Sequence, residues 1–593
     1  MARLTVGLGL VLGIAACGGS KAPATTPAPA ARPAAAPAAP PTAAPAPRDQ
    51  QATVGPPAGR GAGAPGAPGA AGGRAGGGRG GPPVDSTKFV RTTPPDDPII
   101  QKMFDEGMTN GQAGKLAQVL FDSIGPRLTG SPGYMAAANW AVKTYGSWGI
   151  PAEKQQYGTW NSWRRGHTHV DMIAPRVRSL EATMLGWSPG TGGKDVIGDV
   201  VLYPETKSPE EFAEGAKANA RGKFVLISAP LASCRMASQW TEFGQPGAFQ
   251  QLTATNNAAR AAWADRTKQG GNINTWTKEY GVAGVIGMNW SQYPGINKIF
   301  GSPKQTVLTL DASCEDYNLL FRLAQNNQGP KLRVNADAEF LGELPMYNVV
   351  GMIKGSEKPN EYILLSAHFD SWDGGSGATD NGTGTITMME AIRILKKVYP
   401  NPKRTILIGN WGSEEQGLNG SQAFAEDHPE IVKGIRAGWN QDNGTGRVTG
   451  LGAGPVTNAT DNLISWLHAV PSSISGWVRL SANASPVGPS GSTDGWTFQC
   501  RGAPVHGMGA LGWDYSNTTW HTNRDTYDKV VIDDLKNNAT LVAMLTYMAD
   551  KDPNLQAPQL ISVNPATQAA ITYPMCGTNN SSKAIRKSTD SAR

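Results

Sequence analysis

The sequence predicts an α/β fold: a doubly wound sheet with helices on both faces, and a β-rich module inserted before its main part. Two observations lead to this prediction. From residue 346 onward, apolar strand-like runs alternate with helical patterns, which is typical of a sheet covered by helices on both sides. From about residue 180 to 340, short β-type runs separated by glycine and polar turns indicate a different kind of segment.

The first part of the chain is too poor in large apolar residues to fold. Residues 18–85 contain 15 glycines and 15 prolines, and the first aromatic residue of the chain is Phe89. Such a stretch cannot bury a core, so residues 18–90 are predicted to be a disordered tether. Charges before residue 86 supply +5 of the formal net charge of +6. The remainder is nearly neutral, which argues against a nucleic-acid partner.

Residues 1–17 are predicted to be a lipoprotein signal peptide. Arg3 precedes the apolar run 4–16, which is too short to cross a bilayer as a helix but suits a secretory signal. The sequence IAAC, ending at Cys17, resembles a bacterial lipobox, in which the cysteine is lipidated, and Gly18 is compatible with delivery to the outer membrane. We therefore expect an exported protein, anchored in the bacterial cell envelope only through the lipid. An ordinary signal peptide cleaved nearby is the alternative.

The globular part is predicted to be a main domain interrupted by the insert. Residues 98–180 are its first part, 181–340 the insert, 341–552 its second part and 553–593 a C-terminal tail. A helical pattern covers residues 112–147 and is broken by the turn-rich segment GPRLTGSPG. The later elements are predicted as strands at 362–367, 404–411 and 435–441, and as helices at 385–398, 421–427, 461–469 and 531–548.

Four cysteines remain after Cys17: Cys234, Cys314, Cys500 and Cys576. An exported protein permits disulfides. Pairing by region would join Cys234 to Cys314 and Cys500 to Cys576, but the sequence leaves the connectivity open.

Polar side chains follow three of the predicted strands. The first strand runs into His368 and a glycine-rich loop that contains Asp380, the second into a turn with Glu415, and the third into Asp442. Because ligands bind at the carboxyl ends of the strands in open α/β sheets, these side chains are expected to converge. His521 stands in a separate loop ahead of a helix.

Imidazole and carboxylate groups together are the ligands of zinc or a similar divalent ion. One histidine and one carboxylate for each ion, with a third carboxylate shared, would hold two metals about 3.5 to 4 Å apart, an arrangement that activates a water. Glu414 and Glu415 suit this scheme because adjacent side chains in extended backbone point to opposite sides. One glutamate can therefore bind metal while its neighbour handles protons.

The segments around these residues carry motifs of a known family. HFDSWDGGSGATDNGTG, KRTILIGNWGSEEQG, the QDNG turn and WHTNRDT occur together, with GPRLTGS near residue 125 and WRRG at Trp163. They resemble the co-catalytic zinc exopeptidases of the aminopeptidase and glutamate carboxypeptidase type, over about residues 105 to 550. The resemblance implies the mixed sheet of the zinc exopeptidase fold. Within the insert, ARGKFVLISAP followed by YGVAGVIGMNW resembles a protease-associated domain.

The resemblance also implies two zinc ions per chain and five protein ligands. His368 and Asp442 would bind one zinc, Glu415 and His521 would bind the other, and Asp380 would bridge both.

Neighbouring residues receive roles from the same resemblance. Asp370 would hydrogen-bond His368 and orient it, and Glu414 would be the general base that takes a proton from water and returns it to the leaving amine. The family often has a second acid after the bridging aspartate, where this chain has Asn381. A cis peptide bond is expected between Asp380 and Asn381.

Short peptides with a free terminus are the expected substrates of this metal-assisted amide hydrolysis. Two other functions stay open: a di-zinc amidohydrolase acting on an N-acyl amino acid or a glutaminyl peptide, and a non-catalytic, receptor-like relative. Specificity for the amino or the carboxyl terminus and the formation of a homodimer also stay open.

The other histidines receive no ligand role. His428 and His468 are expected to be solvated, and His167, His169 and His506 lie in strand-like runs. The lysines and glutamates of the insert are interpreted as solvated surface.

Overall fold

The computed structural model describes residues 97–270, 273–301, 306–444, 446–481 and 484–577. The predicted signal peptide, Cys17 and the tether at 18–90 lie outside the described residues, as does the end of the tail. Within the described part of the chain, every helix is either too short or too polar to cross a membrane.

A mixed sheet of fourteen strands forms the centre of the described chain. The strands are β1 (Ala152–Ala174), β2 (Arg178–Ser179), β3 (Ala182–Met184), β4 (Val196–Leu202), β5 (Phe224–Leu226), β6 (Gly284–Gly287), β7 (Leu308–Ala312), β8 (Lys331–Ile353), β9 (Lys358–His368), β10 (Arg404–Trp411), β11 (Ile435–Asn440), β12 (Val448–Leu451), β13 (Arg479–Leu480) and β14 (Val505–Ala510). Their order along the sheet is β13-β12-β14-β11-β9-β10-β8-β4-β5-β6-β7-β3, with β1 beside β8 and β2 beside β1.

The α-helices of the same residues cover this sheet. They are α1 (Pro98–Phe104), α2 (Ala113–Gln118), α3 (Pro132–Ser147), α4 (Pro209–Asn219), α5 (Ala237–Phe243), α6 (Ala248–Thr267), α7 (Ile273–Glu279), α8 (Cys314–Gln325), α9 (Thr383–Val398), α10 (Asn419–Asp427), α11 (Pro429–Gly434), α12 (Ala459–His468), α13 (Ser472–Ser475), α14 (Asp494–Gln499), α15 (Tyr515–Thr518) and α16 (Ile532–Lys551).

Four neighbouring strands of the main domain run in the same direction. β9 pairs in parallel with β10 on one side and with β11 on the other, and β11 pairs in parallel with β14. Antiparallel strands, β8 and β12, flank this block. The carboxyl ends of β9, β10 and β11 therefore meet at one edge of the sheet, where the sequence predicts the site.

Both faces of the main sheet are buried under helices. On β9, Ile363 and Leu365 pack into the cluster that contains α9 and α16, whereas Leu364 packs into a second cluster with Phe424 of α10 and Phe498 of α14. This alternation follows from the two-residue period of a strand. The predicted doubly wound α/β fold is confirmed.

The insert contains more helix than the short β-type runs predict. Strands β4, β5, β6 and β7 pair in parallel, helices α4 to α7 lie between them in the chain, and α8 follows β7. The sequence does not reveal α6 because Asn256 is its only buried residue, so the helix has no apolar periodicity. The identity of the insert as a protease-associated domain stays a prediction.

Two long strands connect the insert to the main domain. β1 and β8 pair antiparallel from Ala152 opposite Gly351 to Ala174 opposite Lys331. The predicted boundary between residues 340 and 341 falls inside β8, because the strand continues from one sheet region into the other without a break.

The four remaining cysteines form two disulfides, Cys234–Cys314 and Cys500–Cys576. Of the connectivities that the sequence leaves open, the structure has the one in which each cysteine pairs within its own region. The second bridge joins the end of α14 to the C-terminal tail, where the Met575 amide also donates to the Cys500 carbonyl at 2.6 Å.

Candidate metal centre

His368 is the last residue of β9, and its side chain is fully buried at the carboxyl edge of the sheet. Its Nε2 lies 3.3 Å from Asp442 Oδ1, 3.8 Å from Glu414 Oε2 and 3.8 Å from Asp380 Oδ1. Glu414 follows β10 and Asp442 follows β11, so three strand ends supply this cluster. We call His368, Glu414 and Asp442 the first cluster.

His521 approaches the same edge from the loop after α15. Its Nε2 lies 2.9 Å from Glu415 Oε2 and 3.2 Å from Asp380 Oδ2. We call Asp380, Glu415 and His521 the second cluster. The adjacent Glu414 and Glu415 thus point to different clusters, although they lie in a turn after β10 and not in the extended backbone that the sequence analysis assumed.

Asp380 lies between the two histidines. Its Oδ1 faces His368 and its Oδ2 faces His521, an arrangement suited to a bridging ligand. The peptide bond from Asp380 to Asn381 is cis, as the resemblance implies. Asp525, which the sequence analysis did not select, accepts hydrogen bonds from the amides of Thr379 (2.8 Å) and Asp380 (3.0 Å) and so fixes this turn.

The contact between Asp370 and His368 differs from the hydrogen bond that the resemblance implies. His368 Nδ1 lies 3.1 Å from the backbone carbonyl oxygen of Asp370 and 3.6 Å from its carboxylate. The carboxylate instead accepts the backbone amides of Glu414 (3.1 Å) and Glu415 (3.3 Å). Asp370 therefore orients His368 mainly through its backbone and holds both glutamates through its side chain.

Arg127, in the GPRLTGS motif, supports the loop after β9. The guanidinium is fully buried and donates to the carbonyls of Phe369 (2.5 Å), Gly125 (2.9 Å), Ser376 (2.7 Å) and Gly377 (2.7 Å). Arginine suits this position because its planar group offers several donors in a fixed arrangement. The sequence analysis quoted the motif but gave this residue no role.

The charges of the two clusters are poorly balanced without a cation. Burial raises the pKa of Glu415 to about 7, and burial also raises the pKa of Glu414 well above its usual value. Burial alone would lower the pKa of His521, but the carboxylates of Glu415 and Asp380 raise it to about 9. Burial of several carboxylates at one place makes their ionised forms costly, and a bound cation offsets that cost.

The donor set fits zinc. Each cluster offers one imidazole nitrogen and two carboxylates, with the donor atoms within 4.8 Å of one another. Nitrogen and oxygen donors of this kind bind zinc in proteins. In addition, Glu415 Oε1 is buried and has no hydrogen-bond partner among the described residues, so it is available as a ligand.

The other histidines lie apart from these clusters. His468 is exposed and His428 half-buried, and His167 and His169 are exposed on β1. His506 is buried, its Nδ1 lies 2.9 Å from the Gly452 carbonyl, and burial lowers its pKa to about 4.

The interpretation of the insert's lysines as solvated is wrong for Lys298. Its side chain is buried, and its Nζ donates to one carbonyl in α15 and to one in the loop that carries His521. The sequence offers no signal for this contact, because the two segments are more than 200 residues apart.

Comparison with known proteins agrees with the geometry. Residues 348–546 match the sequence profile of peptidase family M28. This segment, which contains all six residues of the two clusters, is similar to that family. Carboxypeptidase Q of Rattus norvegicus is 26% identical over 333 residues, which are 56% of this chain and 65% of that protein. Carboxypeptidase Q of Homo sapiens is 26% identical over 345 residues, 58% of this chain and 67% of that protein.

The chain thus spans about two thirds of the length of these relatives. Among solved structures, the peptidase M28 precursor from Shewanella amazonensis superimposes with a TM-score of 0.56 at 22% identity, covering 78% of this chain and 98% of the other. The M28 likeness confirms the zinc exopeptidase type of fold. The expected resemblance to co-catalytic zinc exopeptidases is also confirmed, and carboxypeptidase Q is among the relatives that the chain is similar to.

The four carbonyls around Arg127 yield a stability prediction. Arg127→Met should lower the free energy of unfolding by roughly 3 to 5 kcal/mol, because several buried acceptors lose their donor. Arg127→Lys should also lower the free energy of unfolding, since a single ammonium cannot reach all four carbonyls. Urea unfolding of the metal-free protein measures both.

Arg436→Met is a matched control, because Arg436 also donates to backbone carbonyls, those of Lys433 and Ile435, but at a partly exposed site. This variant should lower the free energy of unfolding by less than about 1 kcal/mol. Equal losses for Arg127→Met and Arg436→Met would contradict the structural role assigned to Arg127.

Proposed function

We propose that this protein is a di-zinc metallo-exopeptidase that hydrolyses short peptides with a free terminus. The observation that carries the proposal is the position of Asp380, with one carboxylate oxygen toward His368 and the other toward His521. Each histidine also has a carboxylate of its own, Asp442 at 3.3 Å and Glu415 at 2.9 Å. This is the donor pattern of two ions that share one bridging ligand.

The five ligands have distinct tasks in this proposal. His368 and Asp442 would hold one zinc, Glu415 and His521 would hold the other, and Asp380 would be the ligand that both share. When bound, the pair of ions supplies Lewis-acid polarisation of the scissile carbonyl and brings the pKa of a water toward neutrality.

Glu414 is the group that moves protons. Burial raises the pKa of its carboxyl well above the usual value; His368 opposes this rise and Asp442 adds to it. A carboxylate with a raised pKa is a stronger base, so Glu414 can take the proton of the attacking water and deliver it to the leaving amine. Asp370 keeps it in place through the hydrogen bond from the Glu414 amide.

Adjacent glutamates allow a sharp test of these roles. Glu414→Gln should lower kcat by about 10³-fold or more, since general base catalysis is worth about 10² to 10⁴ and the same group serves the leaving amine. Zinc content and KM should change little, because binding contacts survive. Glu415→Gln should instead weaken zinc binding, and its activity should recover partly at high zinc concentration.

Kinetics and zinc analysis on both variants, side by side, give the answer. The structure makes this comparison necessary, because Glu414 lies in the first cluster beside His368. If Glu414→Gln loses zinc while Glu415→Gln keeps two ions, the two roles are reversed. If both variants remain fully active, this site is not the catalytic centre.

The substrate class is tested with a dipeptide and its blocked forms. The unblocked dipeptide should be hydrolysed, and either the N-acetylated or the C-amidated form should lose most of its kcat/KM, because an exopeptidase recognises a charged terminus. The form that loses activity identifies the recognised end. Hydrolysis of N-acyl amino acids or glutaminyl peptides in preference to all dipeptides would support the amidohydrolase alternative and contradict an exopeptidase.

The proposal includes the location of the protein. The N-terminal run, the IAAC sequence and the glycine- and proline-rich tether support an exported lipoprotein anchored through Cys17. The full chain expressed in a bacterial host should partition into detergent, and Cys17→Ser should release it or block its maturation. Mass spectrometry of the mature N-terminus checks the lipid. A wild-type protein that is wholly soluble with an unmodified N-terminus would contradict the anchor.

A further inference from the structure

The insert reaches into the candidate metal centre through residues 297–300. This segment pairs with the loop that carries His521: the Ile299 amide donates to the His521 carbonyl at 2.6 Å, and Lys298 and Thr522 form an antiparallel bridge. The Asn523 amide donates to the Asn297 carbonyl at 3.1 Å. The backbone of a proposed metal ligand is therefore bonded directly to the insert.

Lys298 makes the strongest side-chain contacts across this junction. Its Nζ donates to the carbonyls of Ser516 (3.0 Å) and Trp520 (2.8 Å) and lies 4.2 Å from the centre of the Trp520 ring. Its side chain is only 7% exposed. A buried ammonium is costly unless it is well paired, and here the two carbonyls and the indole ring are its partners.

The contacts continue from Lys298 to the imidazole itself. The Trp520 ring stacks on the His521 ring, with centroids 3.9 Å apart and an interplanar angle of 24°. Phe300 packs against the edge of His521 at 5.0 Å. Lys298 holds the indole, and the indole covers one face of the ligand.

His521 needs such support. Its φ is +54°, in the left-handed region that side chains rarely adopt, and the surrounding structure must maintain this conformation. The Lys298 segment is itself anchored in the insert, because Asp311 of β7 accepts the Lys298 amide at 3.2 Å and the Asn289 amide at 2.7 Å.

We infer that Lys298 is a positioning residue through which the insert fixes His521 for the metal of the second cluster. This rests on the proposed function only in requiring that both clusters bind metal. It assigns the insert a task within the metal centre.

The experiment measures zinc affinity by chelator competition for wild type, Lys298→Met and Lys298→Arg. Replacing a residue that orients a metal ligand typically lowers metal affinity by about 10- to 100-fold. Lys298→Met should therefore lower the affinity for one of the two zinc ions by that factor and leave the affinity for the other unchanged. Lys298→Arg, which keeps the charge and the donors, should recover part of the loss.

A double variant shows which ion is affected. His521→Ala should lose the zinc of the second cluster, and adding Lys298→Met should leave the affinity of the remaining ion unchanged, since the two residues act on one site. The absorption spectrum of the cobalt-substituted protein provides a second readout. It should change in Lys298→Met, because the geometry at His521 changes.

Arg266→Met is the matched control. Arg266 also donates to a carbonyl, that of Tyr203 at 2.6 Å, and lies over a tryptophan, Trp263, but these contacts are all within the insert. This variant should keep both zinc affinities even if its melting temperature falls. The thermal stability of the metal-free proteins separates general destabilisation from an effect on the site.

The outcomes are distinguishable. If wild type binds two zinc ions and Lys298→Met binds both with unchanged affinity, the inference is wrong and the proposed function stands. If Lys298→Met lowers the affinity for both ions equally, Lys298 is a general stabilising residue and the inference is again wrong. The same conclusion follows if Lys298→Met lowers zinc affinity no more than Arg266→Met does. A wild type that binds no metal would overturn the proposed function itself.

Discussion

The crowding of negative charge at one buried edge of the sheet is the constraint on which the rest of the structure depends. Four carboxylates and two imidazoles lie together there, almost without solvent contact. Burial raises the pKa values of Glu414 and Glu415, and the neighbouring carboxylates add to the rise because like charges repel strongly where water is scarce. Such a cluster requires cations to remain ionised and a rigid frame to remain assembled.

The frame consists of buried polar groups that hold backbone rather than substrate. The Asp370 carboxylate accepts the amides of both glutamates, Asp525 accepts the amide of Asp380, and Arg127 fixes the loop after β9. Each proposed ligand stands on a loop or at a strand end, and for Asp380, Glu415 and His521 a residue distant in sequence holds the backbone in place. The His521 loop extends this scheme, because its support comes from the insert.

The sequence allows good prediction of the main sheet and of the residues that meet at its edge. Buried parallel strands are short apolar runs, and a functional side chain interrupts the run where the strand ends; β10, predicted at 404–411, spans Arg404–Trp411. Helix α6 is different, because its packing leaves no apolar pattern to detect. The contacts of Lys298, Asp370 and Asp525 also could not be predicted, because they depend on tertiary packing between distant segments.

Anomalous X-ray diffraction at the zinc absorption edge, on crystals grown without chelator, tests the central claim most directly. The account predicts two peaks per chain. One should lie within bonding distance of His368 and Asp442 and the other within bonding distance of Glu415 and His521, with Asp380 in contact with both. A single peak, or two peaks with Glu414 in place of Asp380 as the shared ligand, would contradict it.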